Sequence, residues 1–283
     1  MENKHCYYFK YIKQENGIFE NIVDAVFILL MENSPREQNV FKQLYEYKLH
    51  SNVIIQYNKG YKLCKKKLFK NQSNYDLLDA NIQVFNYSQN KNYENILVLE
   101  DDFIITKNIY KKEYIEAISN FVKNKDYNVL SLGNTGWIKK KKYNKYILEC
   151  FIYGCAQANM YNKQYFKLLK KHLDLNKIKH VDEFSNIKKL YMMDIPIIIQ
   201  AFPETDNIKT WYLFPKVLFN IMNKILNIDW NEDYKGKELE YWDRYYCFVN
   251  MFHIILYLII IMILSYIIVV KSKFFKVSTK KVL

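Results

Sequence analysis

The chain has 283 residues, a formal net charge of +13 and 50% hydrophobic residues, which predicts one large domain, or one domain with an appendage. Its five cysteines are scattered and form no CxxC pair, which argues against a disulfide framework and favours a reducing compartment. The positive charge suits a membrane surface, a phosphate-bearing substrate or nucleic acid. Because no stretch resembles an RRM, a helix-turn-helix or a zinc finger, no nucleic-acid partner is expected.

The first elements along the chain are predicted to be a strand, a helix and a second strand. Residues 24–30 form an apolar run typical of a buried strand, and residues 53–56 form another. Between them, Ser34, Pro35 and Glu37 have the pattern of a capping box, with Ser34 as the N-cap of the helix. This order predicts a right-handed βαβ unit.

A basic loop is predicted where the second strand ends. Gly60 lies in this loop with lysines on both sides, and no Walker or GxGxxG pattern is present. Two interpretations are open. Either Lys59 and Lys62 meet the diphosphate of a ligand, or the segment is an exposed basic loop.

Three consecutive carboxylates, Glu100, Asp101 and Asp102, follow an apolar run at residues 96–99. The run predicts a buried strand, and the C-terminal edge of an open α/β sheet is where such sheets bind ligands. Burying three acids is costly unless a cation meets them, and their oxygen atoms suit Mg²⁺ or Mn²⁺. The alternative is a solvated acidic turn, although apolar residues on both sides argue against simple exposure.

The remaining elements of the first 210 residues alternate in type, which predicts an α/β domain. The predicted helices cover residues 75–85, 114–121 and 165–173, and the predicted strands cover residues 127–132, 146–153 and 195–199. A further helix is predicted at residues 214–228, with its apolar residues on one face. This helix is either part of the core or an interfacial helix that lies against a bilayer.

The C-terminal part of the chain is different in composition. Residues 248–270 are apolar almost throughout, which is long enough to cross a bilayer core of about 30 Å, and a lysine-rich tail follows. They predict a single transmembrane helix. The tail lysines favour a cytoplasmic C-terminus. The lack of an N-terminal apolar signal favours a tail anchor with the large domain in the cytosol, and this second orientation is the one predicted.

A set of short segments is similar to the motifs of one enzyme family. The segments are Ser34 and Arg36 after the first strand, residues 58–62, 76–81 and 99–102, Leu132-Gly133, residues 154–156 and 181–184, and Gln200 with Thr205, Asn207 and Trp211. In this order they resemble the family-25 glycosyltransferases, which include lipopolysaccharide and collagen galactosyltransferases, and above all their divergent members in large DNA viruses and protists. The resemblance covers roughly residues 24–211, and the acceptor region is poorly matched.

The resemblance implies a GT-A-like fold, which is a Rossmann-like mixed sheet flanked by helices, and sugar transfer with inversion from a nucleotide-diphosphate donor. Glu100 and Asp102 would hold Mn²⁺ or Mg²⁺ as a form of the DxD motif, and the ion would neutralise the leaving diphosphate. Lys59 and Lys62, together with Glu100 and Asp101, would bind the donor.

Inversion also calls for a general base beside the acceptor hydroxyl. The resemblance points to Asp182, with Glu183 as the second candidate, because both lie in the matching segment at residues 181–184. The alternative is that these two carboxylates are the acidic start of a helix, where they interact favourably with the helix dipole.

The complete prediction is an α/β, GT-A-like domain with a C-terminal transmembrane helix. Its regions are a catalytic domain at residues 1–211, an amphipathic juxtamembrane region at 212–247, a transmembrane helix at 248–270 and a basic tail at 271–283. The predicted function is a membrane-anchored hexosyltransferase that uses a nucleotide sugar and a protein, lipid or glycan acceptor. The alternative is a catalytically inactive, membrane-tethered binding protein on the same fold.

Overall fold

The computed structural model describes residues 6–133, 136–154, 157–173, 189–200, 213–228 and 237–279. The chain divides into two compact units, Met1–Glu238 and Leu239–Leu283. The first unit is mixed α/β, which confirms the predicted α/β class, and the GT-A-like type stays a prediction. The second unit lies within one long helix over its described residues.

The strands and helices of the described residues are numbered in chain order. The strands are β1 (Tyr7–Lys13), β2 (Ala25–Met31), β3 (Asn52–Asn58), β4 (Asn95–Glu100), β5 (Phe103–Ile105), β6 (Val129–Ser131), β7 (Gly136–Lys142), β8 (Ile147–Gly154), β9 (Ala158–Asn162), β10 (Leu190–Met193) and β11 (Ile198–Gln200). The helices are α1 (Glu37–Glu46), α2 (Ser73–Asn90), α3 (Lys112–Asn124), α4 (Lys163–Leu173), α5 (Leu213–Leu226) and α6 (Glu238–Thr279).

Nine of the described strands form one mixed sheet in the order β1-β3-β2-β4-β9-β6-β10-β8-β7. Next to the edge strand β1 lie three neighbouring parallel strands, β3, β2 and β4, which are buried along nearly their whole length. Continuous burial explains why these strands are apolar runs rather than alternating patterns. The predicted strand-helix-strand unit is confirmed as β2-α1-β3, with parallel strands. The carboxyl ends of β2, β3 and β4, at Met31, Asn58 and Glu100, therefore lie at one edge of the sheet.

Four strands were not predicted, namely β1, β7, β9 and β10. Strand β1 pairs antiparallel with β3 at the edge of the sheet, and lysines interrupt its apolar residues. Strand β9 lies between β4 and β6 and is almost fully buried, yet it contains Asn159 and Asn162. Asparagine is rare in strands, so composition gives no signal for a strand that tertiary packing imposes.

The strand predicted at the apolar run of residues 96–99 is confirmed as β4, and the acidic residues lie at its end. Strand β4 ends at Glu100, the next two residues form a turn, and the chain then enters β5. Strand β5 belongs to a separate two-stranded sheet with β11, in which Phe103 pairs with Gln200. The turn places the acids at the end of the buried strand instead of inside it, where burial of three charges is most costly.

The predicted capping box at the start of α1 is wrong. The helix begins at Glu37 with Arg36 as its N-cap, and no side chain caps it. The Glu37 carboxylate accepts a hydrogen bond from the Tyr57 hydroxyl instead of reaching back to the turn. Ser34 is thereby left to bond outside the helix, and its partners belong to the candidate site.

Helix α5 exposes apolar residues along one side. Val217, Ile221 and Ile225 are exposed at intervals of four residues, whereas Met222 is buried, as is Ile228, which follows the helix. Ile221 and Ile225 were predicted to share one face with Ile228, so part of that face is open to solvent. The amphipathic character of residues 212–247 stays a prediction.

Helix α6 includes residues 248–270, and many of its apolar side chains between Met251 and Ile268 are exposed. Within the described part of the chain, however, no helix meets the length and hydrophobicity expected of a membrane span. The predicted transmembrane helix is therefore not confirmed.

Candidate functional site

The acidic residues occupy the carboxyl edge of the parallel strands, as the sequence predicted. Glu100 is the last residue of β4, and its backbone N–H donates a hydrogen bond to the Gln157 carbonyl oxygen over 2.9 Å. Asp101 and Asp102 form the turn that follows. The apolar strand thus fixes the backbone of the acids, and the turn directs their side chains toward neighbouring loops.

Asp101 is bound on both of its oxygen atoms by the turn between β2 and α1. Arg36 Nη1 lies 2.6 Å from Asp101 Oδ1, and Ser34 Oγ donates a hydrogen bond to Asp101 Oδ2 over 3.2 Å. Ser34 Oγ also accepts a hydrogen bond from the backbone N–H of Arg36 over 3.2 Å. Asp101 therefore ties the carboxyl end of β4 to that of β2.

Asp102 is the most buried acid of the three, with 4% of its surface exposed. Gln200 Nε2 donates a hydrogen bond to Asp102 Oδ2 over 2.9 Å, and Arg36 Nη1 lies 3.8 Å from the same oxygen. The other oxygen, Oδ1, is buried, and none of the residues that the structure describes donates a hydrogen bond to it. A buried carboxylate oxygen without a partner is costly, and it marks a position where a cation would be stabilised.

The surroundings of Asp102 oppose its ionisation. Burial, and next the nearby charge of Asp101, raise the pKa of Asp102 to about 7, although Arg36 and the hydrogen bond from Gln200 act in the opposite direction. Perturbed carboxyl groups in a crowded polar site are typical of functional sites, but ion-pair networks also produce them. Burial is the largest cause of the raised pKa of Asp102, and the charge of Arg36 does not cancel it.

A divalent cation fits this group of residues in part. Among the described residues, no cluster of three or more His, Cys, Asp or Glu side chains is arranged to hold a metal ion. Mg²⁺ commonly uses only one or two carboxylates and takes its other ligands from substrate phosphates and water. Asp102 Oδ1 supplies one such open oxygen, and Glu100, two positions earlier in the sequence, is partly exposed. The assignment of Glu100 and Asp102 as metal ligands stays a prediction.

Gln200 was noted in the sequence only as part of a resemblance, and tertiary structure brings it to Asp102. The close approach depends on Gly133, which follows β6. A Cβ atom on Gly133 would lie 1.5 Å from the Ile198 carbonyl oxygen, so only glycine fits there. The Gly133 carbonyl is in turn held by the side chains of Ser131 and Gln157. Gly133 therefore lets β11 pack closely enough to deliver Gln200.

The predicted basic loop also lies at this edge of the sheet, directly after β3. Gly60 has a φ of +76°, and a Cβ atom there would lie 2.6 Å from Met31 Cε. Lys62 is exposed, with Nζ 5.8 Å from the centre of the Tyr61 ring, and Lys59 is half-buried. Their positions are compatible with both interpretations of the loop, and their role in donor binding stays a prediction.

Lys66, in the same loop, is a buried lysine that the sequence did not single out. Its Nζ contacts the carboxylate of Asp76, the side-chain oxygen of Asn58 and, over 2.9 Å, the Tyr7 hydroxyl. Burial lowers the pKa of Lys66, and the bond to Asp76 opposes that effect. Asp76 Oδ2 also accepts the backbone N–H of Tyr61 over 3.0 Å. Lys66 therefore fixes the loop from inside.

A disulfide joins Cys6 to Cys64 and provides a second attachment for the loop. The prediction of a chain without disulfides is wrong, because it relied on spacing along the sequence. Strand β1 runs antiparallel to β3 and pairs Tyr7 with Asn58, so residue 6 is brought to the loop that follows β3. The Cα atoms of the two cysteines are 5.6 Å apart, which is within the usual range.

The expected general bases lie outside the described residues. Asp182 and Glu183 belong to residues 174–188, and Thr205, Asn207 and Trp211 belong to residues 201–212. The structure therefore leaves the assignment of the base as a prediction. Of the candidate residues, it brings together Asp101, Asp102, Ser34, Arg36 and Gln200.

Comparisons with known proteins find similarity only at the level of solved structures. No protein-family model and no curated protein matches the chain. One similar structure is the crystal structure of a glycosyltransferase involved in the glycosylation of the major capsid of PBCV-1, with a TM-score of 0.37 and 10% identity over 64% of this chain and 96% of that chain. Another is A197 from STIV, with a TM-score of 0.38 and 11% identity over 64% of this chain and 87% of that chain.

Proposed function

We propose that the chain is a glycosyltransferase that transfers a sugar from a nucleotide-diphosphate donor with the help of Mn²⁺ or Mg²⁺. The observation that carries the proposal is the unpartnered, buried Oδ1 atom of Asp102 at the carboxyl edge of three parallel strands. This edge is where open α/β sheets bind nucleotides. The resemblance of the ordered sequence motifs to family-25 glycosyltransferases supplies the reaction class.

In this proposal the described residues have separate tasks. Glu100 and Asp102 hold the ion, which when bound offsets the negative charge of the leaving diphosphate. Asp101 fixes Arg36 and Ser34, and Gln200 orients Asp102 through Oδ2 so that Oδ1 stays open. The general base is Asp182 or Glu183 in this proposal.

The basic loop after β3 supplies the second half of the donor site. Lys59 and Lys62 meet the diphosphate in this proposal, and the rest of the loop is held in place by the Cys6–Cys64 disulfide and by Lys66. A fixed loop lowers the entropy lost when a ligand binds, because fewer side chains and backbone groups are immobilised.

The test is donor binding by the purified full-length protein in detergent. Binding of a panel of nucleotide sugars and nucleoside diphosphates is measured by calorimetry with and without Mn²⁺. We expect at least one donor to bind in an Mn²⁺-dependent manner, and Asp102→Asn to lose that dependence. Asp126→Asn is the matched control, because Asp126 is an exposed aspartate paired with Lys189. If the wild type binds a donor equally well with and without Mn²⁺, the proposed role of the metal is wrong.

Turnover separates this function from that of an inactive binding protein on the same fold. A bound donor that is neither hydrolysed nor transferred, at any acceptor tested, supports the binding protein. Release of the nucleoside diphosphate that depends on Mn²⁺ and is lost in Asp102→Asn supports the transferase, because the same carboxylate is then required for the reaction.

We also propose that residues 248–270 attach the protein to a membrane. Support comes from the exposed apolar side chains of α6 between Met251 and Ile268, since a contiguous apolar surface of this kind is typical of a binding face. A chain that ends at Tyr246 is expected to move from the membrane pellet to the supernatant after carbonate extraction. If the shortened chain stays in the pellet, the attachment is elsewhere. The cytosolic placement of the large domain stays a prediction.

A further inference from the structure

Arg36 occupies the position between the acids in the manner of a bound cation. A single guanidinium nitrogen, Nη1, lies 2.6 Å from Asp101 Oδ1 and 3.8 Å from Asp102 Oδ2. The side chain of Arg36 is 24% exposed, whereas those of Asp101 and Asp102 are 14% and 4% exposed. Arg36 is thus the most exposed of these three side chains.

The two acids hold Arg36 with different strength. Asp101 has the short contact with Arg36, and its second oxygen is bound by Ser34. Asp102 has the longer contact with Arg36, and within the described part of the chain its Oδ1 has no hydrogen-bond partner. Within the described residues, the guanidinium of Arg36 meets both carboxylates and lies closer to that of Asp101.

The use of arginine at this position is unusual for the chain. Of its 42 basic residues only two are arginines, Arg36 and Arg244, so lysine supplies the positive charge almost everywhere else. The planar guanidinium differs from an ammonium group because it bonds carboxylates and phosphates through paired N–H donors. The same group can therefore serve either the acids or a diphosphate.

We propose that Arg36 is an internal competitor of the divalent ion: it neutralises Asp101 and Asp102 in the metal-free protein, and metal binding displaces it onto the donor diphosphate. The proposal rests on the proposed function and adds the regulation of the same site. Its physical reason is that a divalent ion on Glu100 and Asp102 and a guanidinium on Asp101 and Asp102 share the Asp102 carboxylate and therefore repel each other at short range. The donor's diphosphate then provides the displaced guanidinium with a new anionic partner.

The proposal predicts opposite effects of one substitution on two ligands. Arg36→Gln is expected to bind Mn²⁺ alone at least about fivefold more tightly than wild type, because a coupling between the two cations is removed. The same variant is expected to bind a nucleoside diphosphate at saturating Mn²⁺ at least about fivefold more weakly, because the phosphate partner is lost. Free Mn²⁺ is measured by electron paramagnetic resonance, and the nucleotide by calorimetry.

A merely structural arginine gives a different result. If Arg36 only stabilises the fold of the site, Arg36→Gln weakens both Mn²⁺ and nucleotide binding, and the proposal is overturned. Unchanged Mn²⁺ affinity overturns it as well. Arg244→Gln is the matched control, since Arg244 pairs with Glu240 in α6 and is expected to leave both affinities unchanged.

The wild-type protein offers a measurement that does not depend on any variant's stability. With only two arginines, ¹⁵N-arginine labelling gives two guanidinium Nε–H signals, and Arg244→Gln assigns them. Titration with Mg²⁺ alone is expected to shift the Arg36 signal and to leave the Arg244 signal unchanged. An Arg36 signal that does not respond at Mg²⁺ saturation overturns the proposal.

The failure of this proposal is distinguishable from failure of the proposed function. If the wild type binds Mn²⁺, Asp102→Asn does not, and Arg36→Gln binds it as the wild type does, then only the competitor role is lost. If the wild type binds no divalent ion with or without a nucleotide, the metal-assisted transfer fails, and with it the role of Arg36.

Discussion

Gln200 Nε2 donates a hydrogen bond to Asp102 Oδ2 over 2.9 Å, although the two residues are 98 positions apart in the sequence. The bond forms because β11 pairs with β5, so that Gln200 faces Phe103, the residue after Asp102. It occupies one oxygen of a buried carboxylate, and the other oxygen has no partner among the residues that the structure describes. The open oxygen is therefore a product of strand pairing between distant segments.

Substitution of Asp102 is expected to stabilise the protein at neutral pH. The pKa of Asp102 is raised from 3.8 to about 7 in the folded state, so the folded protein keeps a proton that the unfolded chain releases between these pH values. The free energy of unfolding is therefore highest below about pH 4 and falls until the pH has risen through about 7. Asp102→Asn removes this loss, which amounts to at most roughly 4 kcal/mol at pH 8 for three pKa units. Urea unfolding of both proteins at pH 5 and pH 8 measures the difference.

Asp126→Asn is the control for this pH dependence, because Asp126 is an exposed aspartate whose partner is Lys189. Its unfolding free energy is expected to follow the wild-type curve. If the unfolding free energy of Asp102→Asn changes between pH 5 and pH 8 as much as that of the wild type, burial does not control the ionisation of Asp102.

Lys66→Met is expected to destabilise the fold strongly, because it leaves the buried Asp76 carboxylate without its cation. Loss of one partner of a buried ion pair typically costs about 3–5 kcal/mol. Lys62→Met is the matched control, since Lys62 is an exposed lysine of the same loop and surface substitutions usually change stability by less than about 0.5 kcal/mol. The measurement is the urea unfolding free energy of both variants. Equal values for the two would show that the ion pair of Lys66 with Asp76 does not stabilise the fold.

Cys64→Ser tests the disulfide and its effect on the loop. The cysteines are separated by 58 positions, and a cross-link over a loop of that length stabilises the folded state by about 4 kcal/mol in the chain-entropy account. We expect a comparable drop in unfolding free energy, and no further drop when a reductant is added to the variant. Cys247→Ser is the control, because Cys247 is a free and exposed cysteine. A wild type insensitive to reductant argues against the bond.

Asp182→Asn tests the general base that the sequence resemblance implies. The asparagine keeps the size of the side chain but cannot accept a proton, so kcat is expected to fall by about 10²–10⁴-fold while donor affinity stays unchanged. Glu183→Gln is the comparison within the same segment. A rate for Asp182→Asn within about threefold of wild type, well short of the usual general-base effect, moves the role to Glu183 or Asp194. A parallel loss of donor binding assigns Asp182 to the donor pocket instead.

The sequence by itself determined the neighbouring parallel strands β2, β3 and β4 and the position of the acids. Runs such as residues 96–99 are apolar because these strands are buried on both faces, and this signal is local. The alternation of helices and strands likewise predicted the α/β class. Three adjacent carboxylates directly after a buried strand were enough to locate the candidate site at its carboxyl edge.

Only the tertiary structure decided how the charges at that edge are balanced. The pairing of β1 with β3 brings Cys6 to Cys64 and Tyr7 to Lys66, and none of these contacts has a signature in local sequence. The packing of β11 against Gly133 places Gln200 on Asp102 in the same way. The physical reason is that burial and electrostatic partners depend on which distant strands become neighbours, whereas strand propensity depends on residues close in sequence.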